Sequence, residues 1–294
     1  MAFYKFSVTV REVYFTDFEY DNQRLSDFGC MICHILEDGN ASAINIGSQL
    51  TFNTLPIAGG NKFKLMSTQH DEAYTATIEI CKSNCSDPDD KFFSQIEIVN
   101  IMRWLNRKTF NKFKLVYDTD ELANVYYNAT FNVNPIQHWG RIIGFQLTLQ
   151  TDAPFAYYDE VEYTMEFSDG NLQHSYYDIS DEIGYIYPSS MTIEILRNGD
   201  FEMTNSQEEN RLTSIKNCVV GEKITLVENK LINSSKSHSK LYNDFNYVFP
   251  RICNNREDIY NTGIAVDDME NTFTVNMPCK ITFKYSPICK IGIV

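Results

Sequence analysis

The sequence predicts a mainly β protein with two domains, an α+β N-terminal domain with one packed helix and a C-terminal antiparallel β-sandwich. A length of 294 residues favours two domains over one. The chain has 18 Tyr and 20 Phe, and short stretches of alternating apolar and polar residues recur along it, as in half-buried strands. Only residues 91–107 show a clear helical period.

The N-terminal domain begins with strand patterns. Residues 4–20, 29–36 and 74–81 alternate between apolar and polar side chains. Residues 39–61 are rich in small and polar side chains and include Gly59-Gly60-Asn61, which predicts a long loop. After the helix, further strands are predicted at 115–117, 125–133 and 141–150. This order predicts a mainly antiparallel sheet with one helix packed against it.

The predicted helix has a start signal, an apolar stripe and a cationic end. The acidic run 87–90 favours a helix start. The stripe consists of Phe93, Ile96, Ile101 and Leu105. Because an isolated helix of this length is marginal in water, the stripe is expected to pack on the sheet. Arg103 and Trp104 lie beside it, and Trp104 is either a core residue or an anchor for a partner protein.

The domain boundary is predicted after residue 157, which gives domains 1–157 and 158–294. The segment Asp152-Ala153-Pro154 breaks the last strand of the first domain. Short strands separated by turn signals then follow at 162–167, 191–196, 212–217, 223–227, 231–232, 272–275 and 279–285. Their spacing, without any helical period, is typical of a sandwich or jelly roll.

The charge balance limits the possible partners. The formal net charge is −14, from 39 acidic and 25 basic residues, which argues against binding nucleic acid by neutralising its phosphates. No apolar run approaches the roughly 20 residues of a membrane helix, so no membrane insertion is expected. The start of the chain lacks a signal-peptide pattern, so the protein is expected to fold in a cytosol with its eight cysteines reduced.

The cysteine spacing suggests two possible cofactor sites, one for covalent haem and one for zinc. The surrounding sequence favours neither of them. Residues Cys30 to His34 match the spacing for covalent haem attachment, but a strand would place Cys30 and Cys33 on opposite faces. A zinc site from Cys30, Cys33, Cys81 and Cys85 lacks the turn glycines of a zinc knuckle. We therefore interpret the cysteines as small hydrophobic residues and expect no metal and no cofactor.

No known catalytic motif is present in the sequence. It contains no nucleophile elbow, phosphate loop, dinucleotide fingerprint or metalloprotease motif, and its five histidines are scattered. Carboxylate clusters such as residues 159–162 are interpreted as solvated loop charge rather than as a glycosidase pair. The sequence therefore predicts a structural protein and not an enzyme.

Short stretches with recognisable residues occur one after another along nearly the whole chain. The stretches are residues 18–29, 96–105, 114–115, 126–129, 140, 144–149, 153–157, 215–218, 221–225, 244–252 and 271–273. The first ends in Ser26-Asp27-Phe28-Gly29, and the second ends in Arg103-Trp104-Leu105. Taken in this order, the stretches resemble the distal tail proteins of long-tailed bacteriophages, the hub family at the end of the tail tube.

The resemblance implies a structural protein of the virion tail, made in the host cytoplasm. It implies an N-terminal domain that forms a homo-hexameric ring and a C-terminal β-sandwich of galectin-like or jelly-roll type, with no active site and no cofactor. The implied partners are the tail tube protein, tail tip or baseplate proteins and receptor-binding proteins. DNA would pass through the lumen of the ring without specific binding, which agrees with the net negative charge.

Two other functions remain open from the sequence. The first is a carbohydrate-binding module that recognises host-surface glycans, since residues 157–187 are rich in tyrosine; a glycan array would separate it from a hub protein. The second is a cell-wall hydrolase, which a turnover assay on peptidoglycan would detect.

Overall fold

A computed structural model describes residues 15–33, 35, 50–58, 60–70, 72–84, 90–117, 122–208, 210–236, 238–254 and 269–291. The chain divides into two compact units. The N-terminal unit consists of Met1–Ala156 with Ile291–Val294, and the C-terminal unit of Tyr157–Lys290. Both are built mainly from antiparallel strands, so the predicted mainly β fold class is confirmed.

The N-terminal unit has one large sheet, a separate hairpin and one helix of three turns. Its strands are β1 (Phe15–Tyr20), β2 (Gln23–Arg24), β3 (Cys30–Cys33), β4 (Leu50–Pro56), β5 (Phe63–His70), β6 (Thr75–Lys82), β7 (Asn111–Tyr117), β8 (Val125–His138) and β9 (Arg141–Thr151). A 3₁₀ turn covers Leu25–Phe28, and helix α1 covers Gln95–Leu105. The main sheet has the order β2-β1-β7-β8-β9-β6-β3, while β4 and β5 form a two-stranded sheet. Strand β10 (Ala156–Tyr158) lies where the chain passes from one unit to the other.

An aromatic cluster attaches helix α1 to the first strand. Alternation along β1 turns Phe18 and Tyr20 into the core, where both are fully buried. The Trp104 ring stacks on Phe28, with 4.3 Å between ring centroids, and on Phe18 at 5.6 Å. The indole Nε1 donates a 2.9 Å hydrogen bond to the Tyr20 carbonyl oxygen. The polar edge of the tryptophan is therefore satisfied inside the core.

Helix α1 begins later than predicted. Its N-cap is Ser94, whose Oγ accepts from the Glu97 backbone N–H, while the Glu97 carboxylate accepts from the Ser94 N–H. This capping box fixes the start, so the prediction of a start at the acidic run 87–90 was wrong. The place of Ile96 in the packed stripe was also wrong, because this first-turn side chain is 72% exposed.

Several strands were not predicted. Residues 50–56 form β4 inside the segment predicted as a long loop, and β5 pairs with it. Both strands bury little of their side chains. The strands at residues 173–177 and 199–205 were also not predicted, although the second alternates between buried and exposed side chains. The part of the predicted first strand before residue 15 lies outside the described residues.

The C-terminal unit is a sandwich of two sheets around one core. Its strands are β11 (Val161–Phe167), β12 (Gln173–Tyr177), β13 (Gly184–Ile186), β14 (Ser190–Ile195), β15 (Gly199–Asn205), β16 (Leu212–Cys218), β17 (Lys223–Val227), β18 (Leu231–Ser234), β19 (Ile252–Asn254), β20 (Glu270–Val275), β21 (Cys279–Tyr285) and β22 (Ile288–Cys289), with a one-turn helix α2 (Leu241–Asp244). The sheets have the orders β11-β21-β14-β17-β18 and β12-β20-β15-β16, and β13 pairs with β19. Ile193 and Ile281 from the first sheet share one buried cluster with Phe201 and Phe273 from the second. This shared core is what defines a sandwich.

Gly144 marks a close approach between strands β9 and β6, and we expect Gly144→Ala to destabilise the N-terminal unit. A Cβ at this position would lie 2.6 Å from the backbone oxygen of Ile80 and would also overlap the Ile35 side chain. Because a backbone atom in a paired strand cannot move aside easily, the free energy of unfolding should fall by about 1–3 kcal/mol. Chemical denaturation measures this change.

Gly170→Ala is the control, because a Cβ there meets no atom within 4 Å. Its effect should stay below about 0.5 kcal/mol. Equal stability of the two variants would contradict the close approach at Gly144.

Candidate functional site

The β4–β5 hairpin presents a group of large apolar side chains to solvent. We call this group the hairpin surface; it consists of Phe52, Leu55, Ile57, Phe63, Leu65 and Met66. Their exposed fractions run from 48% at Ile57 to 71% at Phe63. Phe63 and Leu65 lie two residues apart on β5 and therefore share one face of the hairpin.

The hairpin has few stabilising neighbours of its own. In the part of the chain that the structure describes, β4 and β5 pair only with each other. A two-stranded hairpin is marginally stable at best in water, and exposed apolar side chains grouped on one face mark a contact site for another molecule. In the register of the hairpin, Phe63 and Leu65 share one face, and Leu55 lies on the other. The hairpin surface is therefore the strongest candidate for binding another protein chain.

The tip of the long β8–β9 hairpin carries a second exposed aromatic residue. Trp139 and Gly140 form the two-residue turn, with φ of 52° and 75°, as a type I′ turn requires. The Trp139 side chain is 91% exposed, and its ring stacks on His138 with 5.0 Å between centroids. A bulky residue is uncommon at positive φ, so this turn holds an aromatic side chain out in solvent at a conformational cost.

The residues predicted as the packing or interface set lie in two environments. Ile101 and Trp104 are buried within the N-terminal unit, with 1% and 3% of their surface exposed. Arg103 is exposed on the same helix. Sequence analysis singled out Trp104 and missed Trp139. The position of Trp139 directly before Gly140, between two alternating stretches, could have indicated an exposed hairpin turn.

The described cysteines lie in strands. Cys30 is buried and Cys33 half-buried, as expected for residues three apart on β3. Burial raises the pKa of the Cys30 thiol to about 12, which makes it a poor nucleophile at neutral pH. Cys85 of the considered zinc set lies outside the described residues. Among those that are described, no group of three or more His, Cys, Asp or Glu is placed to hold a metal ion.

A buried cluster of charges joins a turn to helix α2 in the C-terminal unit. The His238 Nδ1 lies 2.8 Å from a Glu222 carboxylate oxygen, and its Nε2 lies 3.1 Å from Asp244. Glu222 is fully buried and also accepts hydrogen bonds from the Ser234 hydroxyl at 2.6 Å and the Val219 N–H at 3.0 Å. One imidazole and two carboxylates therefore link the turn at Glu222 to helix α2.

The cluster shifts the pKa values of its members in opposite directions. Burial would raise the pKa of Glu222, but hydrogen bonds from Ser234, Val219 and His238 outweigh it and lower this pKa. Burial would lower the pKa of His238, but its bonds to Glu222 and Asp244 outweigh it and raise this pKa. Both shifts favour the charged pair.

The architecture is that of two compact, mainly β units. The chain is similar to the SPP1 Dit (gp 19.1) protein, whose crystal structure presents it as a paradigm of the hub adsorption apparatus in phages that infect Gram-positive bacteria. The two structures superpose with a TM-score of 0.58 at 12% sequence identity, over 93% of this chain and 99% of that chain. At this identity the likeness is one of fold.

Family models identify the two halves of the sequence separately. Residues 13–153 match the model described as phage tail protein N-terminal domain, and residues 155–285 match phage tail C-terminal domain. The chain therefore belongs to this family of phage tail proteins, and the predicted resemblance to the distal tail proteins is confirmed. No curated protein sequence matches the chain. None of the helices in the described ranges is long and apolar enough to cross a membrane.

Proposed function

We propose that the protein assembles as a closed homo-hexameric ring, a hub between the tail tube and the tail tip or baseplate. The proposal rests on the hairpin surface. We expect a second copy of the chain to bind there and cover it. A ring is closed by heterologous contacts, in which one patch of each copy meets a different patch of the next. A solvent-facing hairpin of marginal stability is suited to such a contact, because it is stabilised only when a neighbour covers it.

The fold and the charge support the remaining parts of the proposal. A hub links the tube protein on one side to tip, baseplate and receptor-binding proteins on the other, and the SPP1 protein with this fold is described as a hub. A lumen traversed by DNA must not retain it, and the formal net charge of −14 repels phosphate. The role is mechanical, so we expect no catalytic turnover.

The test is a double substitution on the hairpin, Phe63→Asp with Leu65→Asp. Two charges at the centre of an apolar contact should weaken self-association by 100-fold or more, since each hot-spot side chain contributes about 2 kcal/mol or more. The expected result is a hexamer for the wild-type protein and a monomer for the variant by native mass spectrometry. The thermal unfolding midpoint of the sandwich should not change.

Gln69→Asp is the matched control, because Gln69 is an exposed polar residue on the same strand and pairs with Thr51 rather than with a residue of the hairpin surface. It should leave the ring intact. A wild-type assembly with a number of subunits other than six would overturn the proposal. A double variant that still forms hexamers would also overturn it.

A further inference from the structure

A cavity of about 350 Å³ lies beside the buried His238 cluster of the C-terminal unit. Its described lining includes Asn217, Glu222, Lys236, His238, Lys240 and Asp244. Cavities that bind small molecules have volumes of about 300–1,000 Å³. This cavity is at the lower end of that range and therefore fits a small ligand.

Both carboxylates of the lining already accept hydrogen bonds from the protein. The His238 Nδ1 lies 2.8 Å from the Glu222 carboxylate, and the Nε2 lies 3.1 Å from Asp244. Because an ionised carboxylate only accepts hydrogen bonds, both ring nitrogens donate, and His238 is an imidazolium. Glu222 accepts two further hydrogen bonds, from Ser234 and Val219. The two carboxylates therefore have little capacity left for a cation or for a ligand that donates hydrogen bonds.

Hydrogen-bond donors of the lining, in contrast, remain available. The Lys236 Nζ donates to the Val220 carbonyl oxygen, and an ammonium group has three donors. The Lys240 Nζ and the Ser239 hydroxyl have no hydrogen-bond partner within the described ranges. The groups that a ligand would meet in this cavity are therefore mainly donors.

The described lining also has an excess of positive charge. Lys236, His238 and Lys240 contribute three positive charges, against two negative charges from Glu222 and Asp244. Residue 237, which lies outside the described residues of this loop, is a serine and carries no charge. The excess is opposite in sign to the formal net charge of the whole protein, which is −14. Charge and hydrogen bonding thus both favour an anion.

We propose that this cavity binds a small oxyanion, a molecule that carries a carboxylate or phosphate group. A lysine ammonium is a compact charge that forms charge-assisted hydrogen bonds with either group. Lys240 and Lys236 would bind the anion directly, and the Ser239 hydroxyl would donate to it. His238 would contribute its positive charge from the wall of the cavity. The site lies within the C-terminal unit and does not depend on the ring proposed above.

Calorimetric titration of the full chain at pH 6 and constant ionic strength tests the proposal. The probes are the sodium salts of citrate, phosphate and chloride. We expect citrate or phosphate to bind in the millimolar range and about tenfold or more tightly than chloride, which forms weaker contacts with the same donors. The tighter of the two oxyanions identifies the preferred group as carboxylate or phosphate.

The variants Lys240→Gln and Lys240→Arg test the assigned donor. Removing a charged hydrogen-bond partner should weaken oxyanion binding about tenfold or more in Lys240→Gln. Lys240→Arg keeps the positive charge and should bind nearly as the wild type does. Because Lys240 is exposed, both variants should fold, and their denaturation midpoints verify this.

Lys284→Gln is the matched control, since Lys284 is a lysine of the same unit that pairs with Glu162 at 3.1 Å and does not line the cavity. It should bind the oxyanion as the wild type does. Failure of both citrate and phosphate to bind, equal affinity for chloride, or unchanged binding by Lys240→Gln would overturn the proposal. Hexamer formation is measured separately, so these results do not bear on the proposed ring.

Discussion

The substitution Ile101→Asp is expected to unfold the N-terminal unit and to abolish the proposed ring. Ile101 is 1% exposed on helix α1, one turn before the buried Trp104 and Leu105. Truncating such a side chain to alanine already costs about 2–5 kcal/mol. Aspartate adds the larger cost of a buried charge without a partner. Because a domain is stable by only about 5–15 kcal/mol, the sum removes most or all of its stability.

Ile96→Asp provides a control on the same helix with the same change of side chain. Ile96 is 72% exposed in the first turn, where a carboxylate interacts favourably with the helix dipole. This variant should fold and assemble as the wild type does. Near-UV circular dichroism reports the packing of the aromatic cluster, and native mass spectrometry reports the ring. A normal ring formed by Ile101→Asp would show that the helix is not a packed element of the ring-forming unit.

The second large effect is expected for Glu222→Leu in the C-terminal unit. The change leaves His238 beside the single carboxylate of Asp244 and removes the acceptor for Ser234 and Val219. Removing one partner of a buried ion pair typically costs about 3–5 kcal/mol. We expect a loss of this size in the free energy of unfolding of the sandwich, measured by denaturant titration at pH 6.

The same cluster predicts how stability depends on pH. The folded pKa of His238 is raised above its ordinary value of 6.5, so its contribution is fully present below that pH and is lost as pH rises through the folded pKa. The folded pKa of Glu222 is lowered below 4.5, so its contribution is fully present above that pH and is lost as pH falls through the folded pKa. Between about pH 4.5 and 6.5 both contributions are present.

Glu166→Leu separates this effect from the general loss of a carboxylate. Glu166 is exposed on β11 and pairs with Lys280 at the surface, where ion pairs contribute little. Its stability should change little, and its dependence on pH should match the wild type. Denaturation midpoints measured across this range give the comparison. A Glu222→Leu variant whose stability follows the wild-type pH curve would contradict the role of the cluster.

Sequence patterns revealed many of the elements whose two faces differ in environment, although β15 was missed despite its alternation of buried and exposed residues. Strands β17 and β21 have the bounds that alternation predicted, and the helix was recognised from its apolar stripe. The strands β4 and β5 were missed because their apolar side chains face solvent, so no alternation between core and surface accompanies them.

The candidate surfaces were harder to predict for a related reason. The position of Trp139 and the pairing of Arg211 and Arg251 with Glu208 depend on which turns and strands meet in the folded chain. Arg211 follows Glu208 by three residues, but Arg251 is distant in sequence, and only the fold brings it to Glu208. Spacing along the chain contains no signal of this kind, whereas the helix and strand periods are local.

The hairpin surface also matters to each newly made chain before it meets a partner. Exposed strands with apolar side chains can pair with other chains and cause aggregation. The risk of aggregation rises with the time that the chain stays unassembled. The β4–β5 hairpin carries features that oppose this: Lys62 and Lys64 flank the exposed Phe63, and Pro56 lies opposite it in the register. Charges and proline at such positions disfavour uncontrolled stacking of strands while leaving one shaped contact available. The hairpin thus combines the proposed assembly surface with features that protect a newly made chain against aggregation.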